Sequence, residues 1–335
     1  MAVKESRCRN YCLDFVKGIA CICIVFMHCE FPGRFGIIIQ SISRFCVPFF
    51  FMVSGYFCYK ESGIVDYKKK VIHIGLITGG ATALYFVINV IIRGMEIQYS
   101  PKKLLYWILF NEPFVIAGQM WFLFALLYDY VLYALIDKYK ALNIVRFLIP
   151  VLIAAYICLA QGASLFGIDI PNAIYRNFMI EGLAFFSLGN WIHVHQAKLN
   201  VSNKFLVMSV VIFTFLCPFE RFLLGRDFGV NISTFPQVIA IFLLCLNKPG
   251  FGKNTKISVL GLKYSLYVYV FHPAIWHFLE NYYAILNIDD SRVALYLMPI
   301  FCASFSIVAS VVYTKVLSII KIKKERIYGY YNADN

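Results

Sequence analysis

Asp14, Lys17 and His28 share one apolar run, LDFVKGIACICIVFMHC, at residues 13–29. Eleven residue steps separate Lys17 from His28. At about 100° per step that is close to three turns, so in a helix both side chains fall on one face, about 16 Å apart along the axis. Asp14 lies within about 60° of the same face. Charge in a bilayer is costly, and intramembrane ionisable groups usually point into a bundle or a watery cavity. One helix face with polar groups at both ends could line a passage through the bilayer.

Further polar residues sit in apolar surroundings. SRFCVPFFFMVSGYF carries Arg44 at its outer edge, a residue type suited to a fixed bidentate contact with carboxylate or phosphate. In the same stretch Pro48 would loosen a helix, and Ser54-Gly55 would allow close helix packing. GQMWFLFALLYDY opens with Gln119 and Trp121 and holds Asp129 deeper in, with no evident partner. YRNFMIEGLAFFSLG supplies Arg176 and Asn177, with Glu181 further in. SLYVYVFHPAIWHF places His272 beside Pro273, whose missing N–H frees a carbonyl one turn earlier, and His277 nearer the outer end. Each has a plainer reading. Trp121 fits an interfacial aromatic belt, Arg44 and Arg176 fit headgroup contacts, and His272 fits a satisfied core histidine. No G-x-S-x-G, H-E-x-x-H, Walker or dinucleotide pattern occurs. The set is histidine plus Arg, Asn and Lys, which points to acid–base group transfer without a metal.

The elements that position these residues follow from composition. The chain has 335 residues, of which 61% are hydrophobic and 15% charged, with a mean hydropathy of +0.71. A soluble chain of this length needs more polar surface. Long, nearly uncharged runs are the length of bilayer-crossing helices, and the solid runs exclude the alternating pattern of a membrane β-barrel. Ten helices are expected, at 13–30, 43–58, 71–92, 115–136, 146–161, 174–193, 204–219, 233–246, 264–283 and 294–320. The first run is followed by no small-residue cleavage site and is expected to stay as a span. With the N-terminus inside, twenty Lys and Arg fall in cytoplasmic segments and nine on the other side. This places both termini in the cytoplasm by the positive-inside rule. The net charge of +13 is thereby assigned to loops facing anionic lipid, and no nucleic-acid partner is expected. The expected organisation is one all-α polytopic membrane domain over residues 1–335, with a cytoplasmic segment at 1–12 and a cytoplasmic basic tail at 321–335. The longest loop, about 93–114, holds an interfacial stretch, KKLLYWILF. The eleven cysteines are scattered without a CxxC pair, and most sit in apolar runs where a thiol packs as a small hydrophobe.

In order, LDFVKGIACICIVFMHC, RFCVPFFFMVSGYF, MWFLFAL, RNFMIEGLAFFSLG and SLYVYVFHP resemble the successive blocks of the acyltransferase-3 membrane family. The first block carries that family's basic residue, ten residues, then His. The resemblance covers nearly the whole chain. It implies a multi-pass bacterial inner-membrane enzyme, typically of ten spans, that moves an acyl group, usually acetyl from cytosolic acetyl-CoA, onto hydroxyls of envelope or extracellular glycans. It implies His28 as base or acyl carrier, with Arg44 and Arg176 steadying the acceptor or the developing oxyanion. Lys17, with Asp14, falls at the CoA end, and Asn177, Gln119, Trp121 and His272 on the substrate side. No metal is implied. Lys17 stands where many relatives have Arg, so charge is kept but the planar fork is lost. Similar domains form the membrane half of vancomycin-resistance serine racemases; no racemase-like stretch follows here, which favours the transferase. Polysaccharide, peptidoglycan, lipid-linked glycan, antibiotic and small alcohol all remain open as acceptors, as does the oligomeric state. A transporter of the same fold and a purely structural envelope role are the rival readings.

Overall fold

The computed structural model describes residues 9–59, 65–96, 100–113 and 117–331. The N-terminal segment to residue 8, Lys60 and the chain from 332 lie outside the described residues, as do the side chains of the basic tail from residue 321. Among the described residues all regular structure is helical, as the composition predicts. The helices are α1 (Tyr11–His28), α2 (Gly33–Ile42), α3 (Cys46–Tyr56), α4 (Tyr67–Phe86), α5 (Pro101–Phe110), α6 (Trp121–Lys138), α7 (Leu142–Ile157), α8 (Ala163–Leu165), α9 (Asn172–Tyr175), α10 (Leu183–His195), α11 (Asn203–Leu224), α12 (Thr234–Asn247), α13 (Lys256–Lys263), α14 (Ser265–Ile285) and α15 (Arg292–Tyr331).

Seven described stretches are long and apolar enough to cross a membrane: Tyr11–His28, Gly33–Tyr56, Tyr67–Ile92, Gly118–Lys138, Leu142–Leu165, Asn203–Leu224 and Arg292–Ile320. The stretches expected as spans six, eight and nine are helical too, in α10, α12 and α14. The second span differs from expectation. It begins at Gly33, not near 43, because α2 runs through a 3₁₀ turn at Ser43–Phe45 into α3. Pro48 does not loosen α3, since it sits in the first turn, where its missing N–H costs nothing. Its ring instead disfavours an α-helical bond from the carbonyl four residues back, at Arg44, and the 3₁₀ turn falls there. The KKLLYWILF stretch forms α5, none of whose residues is buried.

α1 lies at the centre, packed against α2, α3, α12, α13, α14 and α15. Asn10 caps it by accepting from the Leu13 N–H at 3.0 Å, and its amide donates to the Cys245 carbonyl of α12 at 2.8 Å. Two crossings are close enough to need glycine. A Cβ at Gly18 would lie 2.1 Å from the Ile257 carbonyl oxygen of α13, and one at Gly261 of α13 would lie 1.9 Å from the Asp14 carbonyl oxygen. Likewise a Cβ at Gly55 of α3 would meet the Phe186 carbonyl oxygen of α10 at 1.8 Å, so Ser54-Gly55 does serve packing. The outer face is apolar, with Leu76, Phe147 and Phe215 exposed, while Arg44, Asp129, Glu181, Asn190 and His272 are buried. That inversion is what a bundle solvated by hydrocarbon requires.

Candidate active site

Two cavities follow one another along α1. The larger one, about 210 Å³, has Lys17 in its wall, with Ser54, Tyr130 and Ser265 among apolar neighbours such as Phe50 and Phe122. The second, of about 20 Å³, is lined by His28, Arg44, Gln119, Trp121, Arg176 and Glu181. Ile24, Val47 and Tyr269 line both and separate them. The helical arithmetic for Lys17 and His28 therefore holds: one face of α1 serves both chambers.

The elements that place these side chains are short and locally specified. His28 is the last residue of α1. Its ring stacks on that of His272, with centroids 5.4 Å apart and planes at 24°. His272 is fully buried, and its Nδ1 lies 2.8 Å from the Tyr269 carbonyl oxygen. Tyr269 is the residue whose carbonyl Pro273 frees from the helix ladder. A carbonyl only accepts, so Nδ1 carries the proton and Nε2 is the bare nitrogen; it has no partner among the described residues. The satisfied-core reading of His272 thus covers one nitrogen, and the ring backs His28 without lining the cavity.

Arg44 lies in the 3₁₀ turn before α3 and is 8% exposed. Its guanidinium pairs with Asp227, on the 225–233 segment between α11 and α12. Asp227 also accepts from the Gly229 N–H at 3.1 Å. Arg176 follows α9, and its guanidinium carbon sits 4.7 Å above the Trp121 ring. Trp121 is 6% exposed, which replaces the interfacial-belt reading with a stacking platform inside the bundle. One wall of the smaller cavity is the turn around Gly229 and Val230. Tyr156 ties it down, accepting from the Val230 N–H at 3.0 Å and donating to the Phe228 carbonyl at 2.7 Å.

Two of the expected residues act through others. Asp14 meets Lys17 at 2.7 Å and Arg9 at 2.8 Å, so its oxygens are occupied by cations and it fixes Lys17 in place. Asn177 is 1% exposed, and its amide is wholly spent on backbone. It accepts from the Met179 and Ile180 N–H groups and donates to the Ala173 and Ile174 carbonyls. It caps the π-helical turn Phe178–Gly182 and does not face the cavity. Of the residues singled out in sequence, His28, Arg44, Gln119, Trp121 and Arg176 come together. Lys17 lies in the adjoining chamber, and Asp14, Asn177 and His272 lie behind. Asp227 and Tyr269 carry no sequence signal of their own. Glu181 stands out in sequence only as a carboxylate deep in an apolar run.

Among the described residues no cluster of His, Cys, Asp and Glu could hold a metal ion. The site offers a base, two guanidinium groups and an aromatic face, which suits proton transfer and stabilisation of a developing anion. The sequence matches the family model described as an acyltransferase domain over residues 10–315. No curated protein and no solved structure gives a match. The match spans most of the chain, and the protein belongs to the acyltransferase-3 family.

Proposed function

We propose that this membrane acyltransferase moves an acetyl group from cytosolic acetyl-CoA to a hydroxyl of an envelope or extracellular glycan, in the inner membrane of a bacterium. The reading takes the chain as one domain of ten spans, α10, α12 and α14 included, with both termini cytoplasmic. The observation that carries it is the junction of the two chambers at Ile24, Val47 and Tyr269, with a lysine on one side and a His–Arg–Arg cluster on the other. The larger cavity is largely apolar with a few polar groups, the character that suits an acyl-pantetheine arm. Lys17, steadied by Asp14, suits a phosphate at its entrance as a point charge.

The thioester would supply an acyl carbon open to attack. His28 takes the proton of the acceptor hydroxyl as its oxygen bonds to that carbon. Arg44 and Arg176 offset the charge that develops on the carbonyl oxygen. As the carbon–sulfur bond breaks, His28 returns the proton to sulfur, so ester and free thiol leave without net acid or base. The stacked His272 ring keeps His28 oriented, and Gln119 and Trp121 shape the acceptor side.

The test is thiol release from acetyl-CoA by purified protein in nanodiscs, with and without acceptor. His28→Ala should lower the acceptor-dependent rate by about 10²–10⁴-fold while the protein stays monodisperse. A variant with wild-type turnover refutes the assignment. Two chambers in line also suit a carrier, and substrate accumulation in vesicles without acetyl-CoA would favour that second reading.

A further inference from the structure

Glu181 is unexplained by the chemistry above. It is 2% exposed, it lines the chamber that holds His28, and its Oε2 has no hydrogen-bond partner among the described residues. A buried carboxylate oxygen left unpaired is costly, and such cases in a native fold call for a reason. The neighbouring cations do not supply one. Arg44 is paired with Asp227 and Arg176 is stacked over Trp121. Neither forms an ion pair with Glu181 among the described residues, although both are near enough to act on it electrostatically.

The backbone holds Glu181 in this position. It belongs to the π turn Phe178–Gly182, whose first N–H groups Asn177 caps. A π turn is a costly local widening that occurs often at functional sites. The next residue, Gly182, fits so tightly against α6 that a Cβ there would fall 2.5 Å from Asp129 Oδ2. The turn is thus fixed from both sides, and the carboxylate is preorganised toward the cavity.

A hydrogen-bond donor brought in with the substrate would satisfy such a group. The chamber is narrow, with room for about one water. Glu181 and His28 line this one narrow chamber, so a donor that enters with the acceptor is the one placed to reach Glu181 while a hydroxyl sits at His28. We propose that Glu181 binds the acceptor through a second hydroxyl, in a 1,2 or 1,3 relation to the one that His28 deprotonates, and so makes the enzyme selective for diols over simple alcohols. This inference rests on the acyl-transfer reading and adds to it a specificity-determining residue.

The probes are cis-1,2-cyclohexanediol and cyclohexanol, with acetyl-CoA and the full chain in nanodiscs. Rates are read as His28-dependent thiol release and as the monoacetyl ester by mass spectrometry. A site built to bond a substrate hydroxyl rejects the analogue lacking it by orders of magnitude. We expect wild type to favour the diol by on the order of 10²-fold in kcat/KM. Glu181→Met, which leaves no acceptor at this position, should bring that ratio toward one, through the KM for diol and not the KM for acetyl-CoA. If Glu181 only balances the charge of Arg176, Glu181→Met lowers turnover with both probes alike and keeps the ratio, which overturns the proposal. A wild-type ratio near one overturns it too, and needs no variant to fold. If neither probe supports His28-dependent thiol release, the acyl-transfer reading itself fails, and this inference with it.

Discussion

The pairing of Arg44 with Asp227 yields a quantitative prediction, because one partner is deeply buried and the other only partly so. Arg44 is 8% exposed at its side chain and Asp227 is 30% exposed. Removing one member of a fully buried pair costs about 3–5 kcal/mol, since the other charge is stranded. Asp227 retains contact with water, and Asn in its place keeps the polar group that the Gly229 N–H donates to. About half the full penalty, roughly 2 kcal/mol, is the reasonable share. If Arg44 stabilises the reacting carbonyl oxygen, that energy is lost from its positioning, and Asp227→Asn should lower kcat/KM by about 30-fold. Arg44→Met, which removes the donor itself, should cost about 10²–10³-fold. The two changes address one function, so Asp227→Asn should add almost nothing on the Arg44→Met background. The assay is acceptor-dependent release of the CoA thiol by the four proteins of the cycle, each checked for monodispersity. Full activity in Asp227→Asn, or effects that multiply in the double variant, would refute the claim that Asp227 acts through Arg44.

Two predictions concern other parts of the chain. Lys17→Ala should raise the KM for acetyl-CoA by about 10-fold, the worth of one charge-assisted contact, and leave the acceptor KM in place. Lys17→Arg should recover most of the loss, because Asp14 accepts either cation; equal changes in both KM values would separate Lys17 from the donor end. Gly55→Leu should abolish the monodisperse protein, since its Cβ alone would overlap the Phe186 carbonyl oxygen, whereas Gly79→Leu, with open space around its Cβ, should be tolerated. A stable Gly55→Leu on size-exclusion chromatography would show that the α3–α10 crossing is looser than described.

What could be read from sequence is what lies on single elements. Lys17 and His28 share a face because both belong to α1, and their separation is helical arithmetic. The ion pair of Asp14 with Lys17 was likewise implicit in their i,i+3 spacing. Asn177 carried a signal that could have been read differently: an Asn directly before a helical run is first a cap, and its amide is spent there. Asp227 is another matter. It meets Arg44 across 183 residues, and nothing local in GRDFG announces a partner in another element. The same holds for the tie from Tyr156 to the turn that walls the smaller cavity. Single-sequence patterns specify faces and ends, while the pairing of loops with cores belongs to the tertiary fold.

Two of the expected spans, those of α10 and α14, are not among the stretches long and apolar enough to cross a membrane, and they make the complementary point. Hydropathy in a membrane chain measures exposure to lipid more than it measures helix. From Leu183 to Asn190 every residue of α10 is buried, so its partners are other helices, and Ser187 and Asn190 are permitted because Tyr133 and Arg146 bond them. α14 holds His272 and Tyr269 under the same terms, each bonded to a backbone carbonyl. A helix enclosed by protein can carry polar groups that a lipid-facing helix cannot, because hydrogen bonds to its neighbours offset their desolvation. The weakly apolar helices are therefore where an intramembrane site can be built. In this chain the support for His28 comes from α14, and Glu181 stands on the turn that leads into α10.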